Sequence, residues 1–144
     1  MSLQDISVKV ESTVLLPDQP TGMAKAIVRE VLEHARRLAQ GGERQVVDLK
    51  GLPLTTGDLA ELEDLLGRGE VTANVDAAGP TEVFETRYPG VWWVRYQNLD
   101  GHSVAEQLEV TRIPAILETH PDDVQATVER LEALVSSLNT HSAS

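Results

Sequence analysis

The chain has 144 residues and no cysteine, which excludes several kinds of chemistry. Disulfides, thiolate metal sites, iron–sulfur ligation and thiol nucleophiles all require cysteine. The four histidines, at positions 34, 102, 120 and 141, do not follow a metal-binding spacing such as His-x-x-x-His. The sequence also lacks a glycine-rich phosphate loop and a Gly-x-Ser-x-Gly nucleophile elbow. We therefore predict no catalytic residue, no metal site and no cofactor.

Long apolar runs are missing as well. The uncharged apolar stretches are far shorter than the ~20 residues that a membrane-spanning helix needs. The first residues show no basic segment followed by an apolar one, which a secretory leader would require. The net charge of −11 opposes binding to nucleic acid or to an anionic membrane. These features predict a cytoplasmic protein that is not exported.

Aromatic residues make up only 3% of the chain, and all of them fall between residues 70 and 117. This stretch contains three segments rich in β-branched and aromatic residues, 81–86, 91–96 and 104–110, each bounded by turn residues. The pattern predicts a β-meander at the centre of the fold. Trp92 and Trp93 are expected on opposite faces of the sheet, because side chains alternate along a strand.

The last turn of the meander predicts a strand register. If residues 99–101 form a three-residue hairpin loop with Gly101 in the left-handed conformation, Asn98 faces His102. Counting outward then places three pairs opposite each other, namely Tyr96 with Val104, Val94 with Glu106, and Trp92 with Leu108. This register agrees with the apolar pattern.

The remaining segments complete an α+β domain. Residues 5–11 alternate like a half-buried strand, an apolar stripe from residue 21 predicts a helix that ends at Gly41-Gly42, and residues 44–49 read as a short strand. Asp48 is expected to face solvent or cap a loop. A second helix begins near Thr55, with Leu59, Leu62, Leu65 and Leu66 as its buried stripe. We predict the order β-α-β-α-β-β-β-β-α: a mixed, mostly antiparallel sheet with helices packed on one face.

The final helix is predicted to begin at the cap formed by residues 119–122 and to end near Leu138. Its apolar positions alternate in steps of four and three: Val124, Val128, Leu131, Val135 and Leu138. This spacing fits either packing on the chain's own sheet or pairing with another helix. We assign residues 1–138 to a single domain and residues 139–144 to a disordered tail.

Several of these segments resemble one known family. The resemblance lies in Gly69-Glu70-Val71, Glu85-Thr86, Tyr88-Pro89-Gly90-Val91-Trp92-Trp93-Val94 and Glu109-Val110-Thr111-Arg112-Ile113-Pro114, with residues 46–54 upstream. Together they are similar to the C-terminal conserved region of the hydrogenase expression/formation proteins of the HupH/HyaF type. The longer members of that family carry this region twice, whereas the present sequence has a single copy.

The resemblance implies an accessory chaperone or scaffold in nickel–iron hydrogenase maturation rather than an enzyme. The implied partners are the small, iron–sulfur-bearing subunit or its precursor and other maturation proteins. A single copy also implies a symmetric homodimer that buries an aromatic strand face or the last helix. Trp, Tyr and Arg dominate the energies of many interfaces. The predicted protein-binding residues are Trp92, Trp93, Arg95, Tyr96, Glu85, Pro89 and Gly90.

Two alternatives come from other functional classes. The first is a small-molecule-binding regulatory domain, which a pocket lined by tryptophan with convergent polar groups would favour. The second is a hydrolase that uses His102 with Asp100 and Glu106, although a hairpin-loop histidine is most often only solvated.

Overall fold

A computed structural model describes residues 18–76 and 79–143 of the chain, with side chains described as far as residue 140. The predicted strand at residues 5–11 lies outside the described residues. By its internal contacts the chain divides after Arg112 into two compact units. The first unit contains the sheet, and the second contains the last helix.

The first unit is a five-stranded sheet with two helices. The strands are β1 (Gln45–Asp48), β2 (Thr72–Asp76), β3 (Pro80–Glu85), β4 (Val91–Gln97) and β5 (Ser103–Val110), and the helices are α1 (Met23–Ala39) and α2 (Thr56–Leu66). The strand order is β1-β5-β4-β3-β2, and every neighbouring pair is antiparallel. The predicted α+β class and the meander are therefore confirmed, and the described part of the sheet is antiparallel throughout.

The two helices supply one side of a hydrophobic core and the sheet supplies the other. The apolar stripe of α1 forms because its residues recur every three or four positions and so share one face of the helix. The buried members of the core are Ala24, Ile27, Val31, Val47, Leu49, Leu62, Leu66, Phe84, Val91, Trp93, Leu108 and Val110. Asp48 is exposed and accepts a hydrogen bond from the backbone N–H of Lys50, as predicted for a loop-capping residue.

The start of α2 is fixed by a capping box. The Thr55 hydroxyl accepts from the backbone N–H of Asp58, and the Asp58 carboxylate accepts from the backbone N–H of Thr55. The same carboxylate accepts from the backbone N–H and the hydroxyl of Thr21, at 2.6 and 2.7 Å. Burial raises the pKa of Asp58, but these hydrogen bonds outweigh it, so the pKa lies below its usual value. Asp58 therefore joins the residues before α1 to the first turn of α2.

Asp58→Asn is expected to lower the free energy of unfolding at pH 7 by about 1–3 kcal/mol, because a buried charge-assisted cap is lost. A carboxylate with a lowered folded-state pKa stabilises above its unfolded pKa of about 3.9 and loses this contribution as the pH falls through the folded value. Urea unfolding of both proteins at pH 7, 5 and 3 should therefore show a difference that shrinks at the lowest pH. A difference that stays constant with pH would contradict this role.

The β4–β5 hairpin has the predicted loop but a different register. The backbone N–H of Asn98 donates to the carbonyl of His102, and Gly101 has a φ of +83°. Beyond the loop, a bulge shifts the pairing by one residue, so that Trp92 faces Glu109, Trp93 faces Leu108 and Arg95 faces Glu106. The register with Tyr96 opposite Val104, Val94 opposite Glu106 and Trp92 opposite Leu108 is wrong. The bulge pairs apolar Trp93 with Leu108 and charged Arg95 with Glu106 on one face.

The second unit contains a short 3-10 turn, Ala115–Leu117, and the helix α3, Pro121–Ala143. The helix begins where predicted, with Asp122 and Asp123 in its first turn. It continues past Leu138 to Ala143, so the predicted helix end is wrong, while the division into a domain of residues 1–138 and a tail of residues 139–144 stays a prediction. No helix within the described residues is long and apolar enough to cross a membrane.

Candidate partner-binding surface

The two tryptophans lie on opposite faces of the sheet, as predicted, and both are buried. Trp93 is 0% exposed, stacks on Phe84 with ring centroids 5.8 Å apart, and belongs to the core beneath the helices. Trp92 is 6% exposed, and its indole N–H donates to the carbonyl of Thr111. The role of these rings in protein binding stays a prediction, and in this structure their surfaces are enclosed.

The turn between β3 and β4 is organised by a buried threonine. The Thr86 hydroxyl donates towards the carbonyls of Val91 and Tyr88, at 2.9 and 3.3 Å, and accepts from the backbone N–H of Tyr88. Thr86 is almost fully buried, so these hydrogen bonds satisfy polar groups that water cannot reach. The Glu-Thr-Arg-Tyr-Pro-Gly segment therefore has a structural role: it forms a turn that places Tyr88 and Pro89 at the surface, where both are exposed.

Glu85 and Gly90 close the same turn. The Glu85 carboxylate accepts from the backbone N–H of Gly90 at 3.1 Å, and Gly90 has a φ of +93°, which glycine adopts without strain. Glu85, Pro89 and Gly90 also line an open cleft of about 450 Å³ together with Ala35, Leu38, Ala39, Val110 and Arg112. Three of the predicted binding residues thus share one surface.

Arg95 lies in a row of charges that crosses the helix-facing side of the sheet. Its guanidinium contacts three carboxylates: Glu106 at 3.3 Å, Glu82 at 3.0 Å and Glu63 of α2 at 3.4 Å. Glu106 is itself buried and accepts from the Trp93 indole N–H at 3.0 Å. Arg95 therefore links β4 to three other elements of the same molecule, and its role in protein binding stays a prediction.

The ionisation of Arg95 and of its neighbour Tyr96 follows from burial and from the charges near each side chain. Partial burial lowers the pKa of Arg95, but the hydrogen bond and charge of Glu106 and the charge of Glu63 outweigh it, and the pKa is raised. Burial, together with the charge of Glu109, raises the pKa of Tyr96. Arg95 is thus a fixed cation at neutral pH, and Tyr96 stays neutral.

An apolar groove runs between α1 and α2 beside the β3–β4 turn. We call it the apolar groove; its lining residues are Val28, Val31, Leu32, Ala35, Leu65, Leu66, Tyr88 and Val91, and its volume is about 320 Å³. Leu32 is 48% exposed, Leu65 is 42% exposed and Tyr88 is 55% exposed. Large side chains that stay exposed side by side are typical of a protein-binding surface.

The sequence patterns did not reveal this groove. Leu65 was predicted to be buried in the α2 stripe and is half-exposed instead. Leu32 lies at the edge of the apolar stripe of α1 and widens it. An apolar stripe wider than ~100° indicates that the helix contacts more than one neighbour, and this width is the signal in the sequence. The two helices expose these edges together because α1 and α2 pack side by side on the sheet.

The described residues give no support to the two alternatives from other classes. A pocket lined by tryptophan would favour a small-molecule site, but neither the cleft nor the apolar groove has a tryptophan in its lining. His102 is exposed in the hairpin, whereas the Glu106 carboxylate is held by Trp93 and Arg95. Within residues 18–76 and 79–143, no three histidine, aspartate or glutamate side chains form a group that could hold a metal ion.

Comparison with known proteins agrees with the resemblance seen in the sequence. Residues 22–138 match the family described as HupH hydrogenase expression protein, C-terminal conserved region. The chain is 31% identical over 127 residues to hydrogenase expression/formation protein HoxQ of Azotobacter vinelandii, a match that covers 85% of this chain and 45% of the relative. It is 27% identical over 115 residues to HupH of Rhodobacter capsulatus, covering 80% of this chain and 42% of the relative. The chain therefore spans less than half the length of these relatives.

A solved structure shows the same fold. The hydrogenase expression protein HupH from Thiobacillus denitrificans ATCC 25259 superposes with a TM-score of 0.79 at 34% identity, covering 83% of this chain and 99% of that chain. The relatives are named for the expression and formation of a hydrogenase, and these names describe no enzymatic reaction. By the extent of these matches, the chain belongs to the HupH family of hydrogenase expression/formation proteins, of which it represents the C-terminal conserved region.

Proposed function

We propose that this protein is an accessory factor in nickel–iron hydrogenase maturation, which binds the small, iron–sulfur-bearing subunit or its precursor. Family membership supports the process, because the relatives are named for hydrogenase expression and formation. The client is inferred from the resemblance of the sequence to the HupH/HyaF type. In this proposal the protein acts as a chaperone or scaffold in the cytoplasm and catalyses no reaction itself.

The observation that carries the proposal is the apolar groove. Leu32 and Leu65 stand on its two helical walls, and Tyr88 stands at the β3–β4 turn, so three large side chains converge on one concave surface. A groove of this kind accepts the apolar face of a helix or an extended apolar segment. An unfolded or partly folded client exposes such segments before it is complete.

Charge supports the same kind of client. With a net charge of −11, the protein attracts basic segments through its long-range field. A precursor with a basic leader of the twin-arginine type would be drawn towards it, while the apolar groove would hold an adjacent apolar segment. Binding that combines these two terms should weaken with salt but should not vanish.

Leu65→Glu is expected to weaken binding of the small-subunit precursor about 10- to 100-fold, because a charge replaces an anchor in a desolvated groove. Leu99→Glu is the matched control, since Leu99 is an exposed leucine in the β4–β5 hairpin and does not line the groove. Binding would be measured by titration calorimetry or quantitative pull-down, with precursor that carries or lacks its leader. Both variants should keep the far-ultraviolet circular dichroism of the parent.

Two results would contradict this proposal. If neither form of the precursor is retained by the unmodified protein, the small subunit is not the client. If Leu65→Glu and Leu99→Glu bind the precursor as the parent does, the client binds elsewhere and the apolar groove has another role.

We also propose that the working form is a symmetric homodimer. The exposed apolar positions of α3, Val124, Val128, Leu131 and Val135, support this proposal, because a second copy would cover them.

A further inference from the structure

The helix α3 carries an apolar stripe that nothing in its own unit covers. The unit consists of α3 and the short segment before it, and Val124, Val128, Leu131 and Val135 are 42–53% exposed. These positions alternate by four, three and four residues, which is the spacing of the seam between two paired helices. The opposite face, which includes Ala126, Ala133 and Ser137, is small and polar in character. Such a stripe is suited to one elongated neighbour, as another helix would be.

We infer that α3 pairs with α3 of a second copy in an antiparallel two-helix contact. This inference rests on the homodimer proposed above and specifies its interface. The occupant is a second copy because the stripe is self-complementary: its four positions match the same four positions read in the reverse direction. Val124 then lies opposite Val135 of the second copy, and Val128 lies opposite Leu131 of the second copy.

The flanking residues favour the antiparallel arrangement. In this register Gln125 lies beside Glu132 of the second copy, which gives an amide–carboxylate pair on each side of the two-fold axis. Leu134, which is 52% exposed at the other flank, lies beside Thr127 of the second copy. No two like charges face each other along the contact. A parallel pair would instead bring the acidic first turns of both helices, with Asp122 and Asp123, to the same end.

The size of the contact sets its strength. From residue 124 to residue 135 the seam is about 17 Å long, at ~1.5 Å per residue. An interface of this length lies at the low end of the known range, below about 1,200 Å² in total. We therefore expect a dimer that forms and dissociates reversibly, with a dissociation constant in the range of roughly 10–100 μM.

Sedimentation equilibrium of the full chain between about 1 and 500 μM tests this inference, because that span brackets the expected dissociation constant. The parent should change from monomer to dimer, and Leu131→Glu should remain a monomer at every concentration. Ala133→Glu is the matched control on the opposite face of the same helix and should dimerise as the parent does. All three should show equal helix content by circular dichroism, since both substituted positions are exposed.

A pair of substitutions at Gln125 tests the direction of the helices. Gln125→Lys should tighten the dimer about three- to tenfold through two symmetric pairs with Glu132, and Gln125→Glu should loosen it by a similar factor. A parent that stays monomeric, or a dimer that survives Leu131→Glu, would overturn the inference. Equal effects of the two Gln125 variants would overturn the antiparallel register. None of these measurements involves the client, so failure here is distinguishable from failure of the proposed function.

Discussion

Trp93→Ala is expected to lower the free energy of unfolding by about 3–5 kcal/mol, the typical cost of truncating a fully buried aromatic side chain. Trp93 is 0% exposed and is the largest member of the core between the sheet and the two helices. The substitution removes its stacking contact with Phe84 and opens a cavity that the surrounding strands cannot close. Urea unfolding followed by far-ultraviolet circular dichroism would measure the loss without relying on the fluorescence of the deleted ring.

Trp93→Phe is the control that separates packing from hydrogen bonding. Phenylalanine keeps an aromatic ring against Phe84 but removes the indole N–H that donates to Glu106 at 3.0 Å. We expect this variant to retain more than half of the stability lost in Trp93→Ala. A loss below about 1 kcal/mol for Trp93→Ala would show that the ring is not a core residue.

Glu106→Leu is expected to cost about 2–4 kcal/mol, because it leaves the partners of a buried carboxylate without their acceptor. The indole N–H of Trp93 would lose the carboxylate oxygen that accepts its hydrogen bond, while Arg95 would keep Glu82 and Glu63. Ser103 donates to the same carboxylate at 3.3 Å and would lose this contact too. The measurement is the midpoint and slope of urea unfolding at pH 7, at low and at moderate salt.

Glu106→Gln separates the contribution of the carboxylate charge to stability from the contribution of the hydrogen bond. Glutamine can still accept from the Trp93 indole but carries no charge for Arg95, so we expect it to fall between the parent and Glu106→Leu. The difference between the parent and Glu106→Gln should change little with salt, because the pair is largely shielded from solvent. If the two variants are equally stable, the charge alone explains the loss and the Trp93 bond contributes nothing.

These contacts change the interpretation of the motif that marks the family. Thr86, Glu85 and Gly90 hold the β3–β4 turn by hydrogen bonds within it, and Trp93 fills the core. The turn in return exposes Tyr88 next to the apolar groove. The motif therefore builds a surface, and the residues that we propose to contact a client are its neighbours Leu32 and Leu65 together with Tyr88.

The candidate site was predicted only in part. The sequence located the segment that carries the turn, and Glu85, Pro89 and Gly90 do line a surface cleft. It did not indicate that Arg95 would be held by three carboxylates of its own chain, because Glu63, Glu82 and Glu106 lie 11 to 32 positions away. Nor did it separate Leu65 from the buried leucines of α2, since all four repeat at helical spacing.

Local rules determined the elements of this protein, and long-range packing determined their register. Residues within a few positions of one another determine where each helix and strand lies. They also determine the Thr55 cap and the Asn98–His102 loop, so these features can be predicted from the local sequence. The bulge after that loop does not depend on the loop itself. The bulge arises because pairing Trp93 with Leu108 and Arg95 with Glu106 on one face stabilises the sheet more than the register predicted without a bulge. This difference in stability depends on β3, β5 and α2, which surround β4 only in the folded structure.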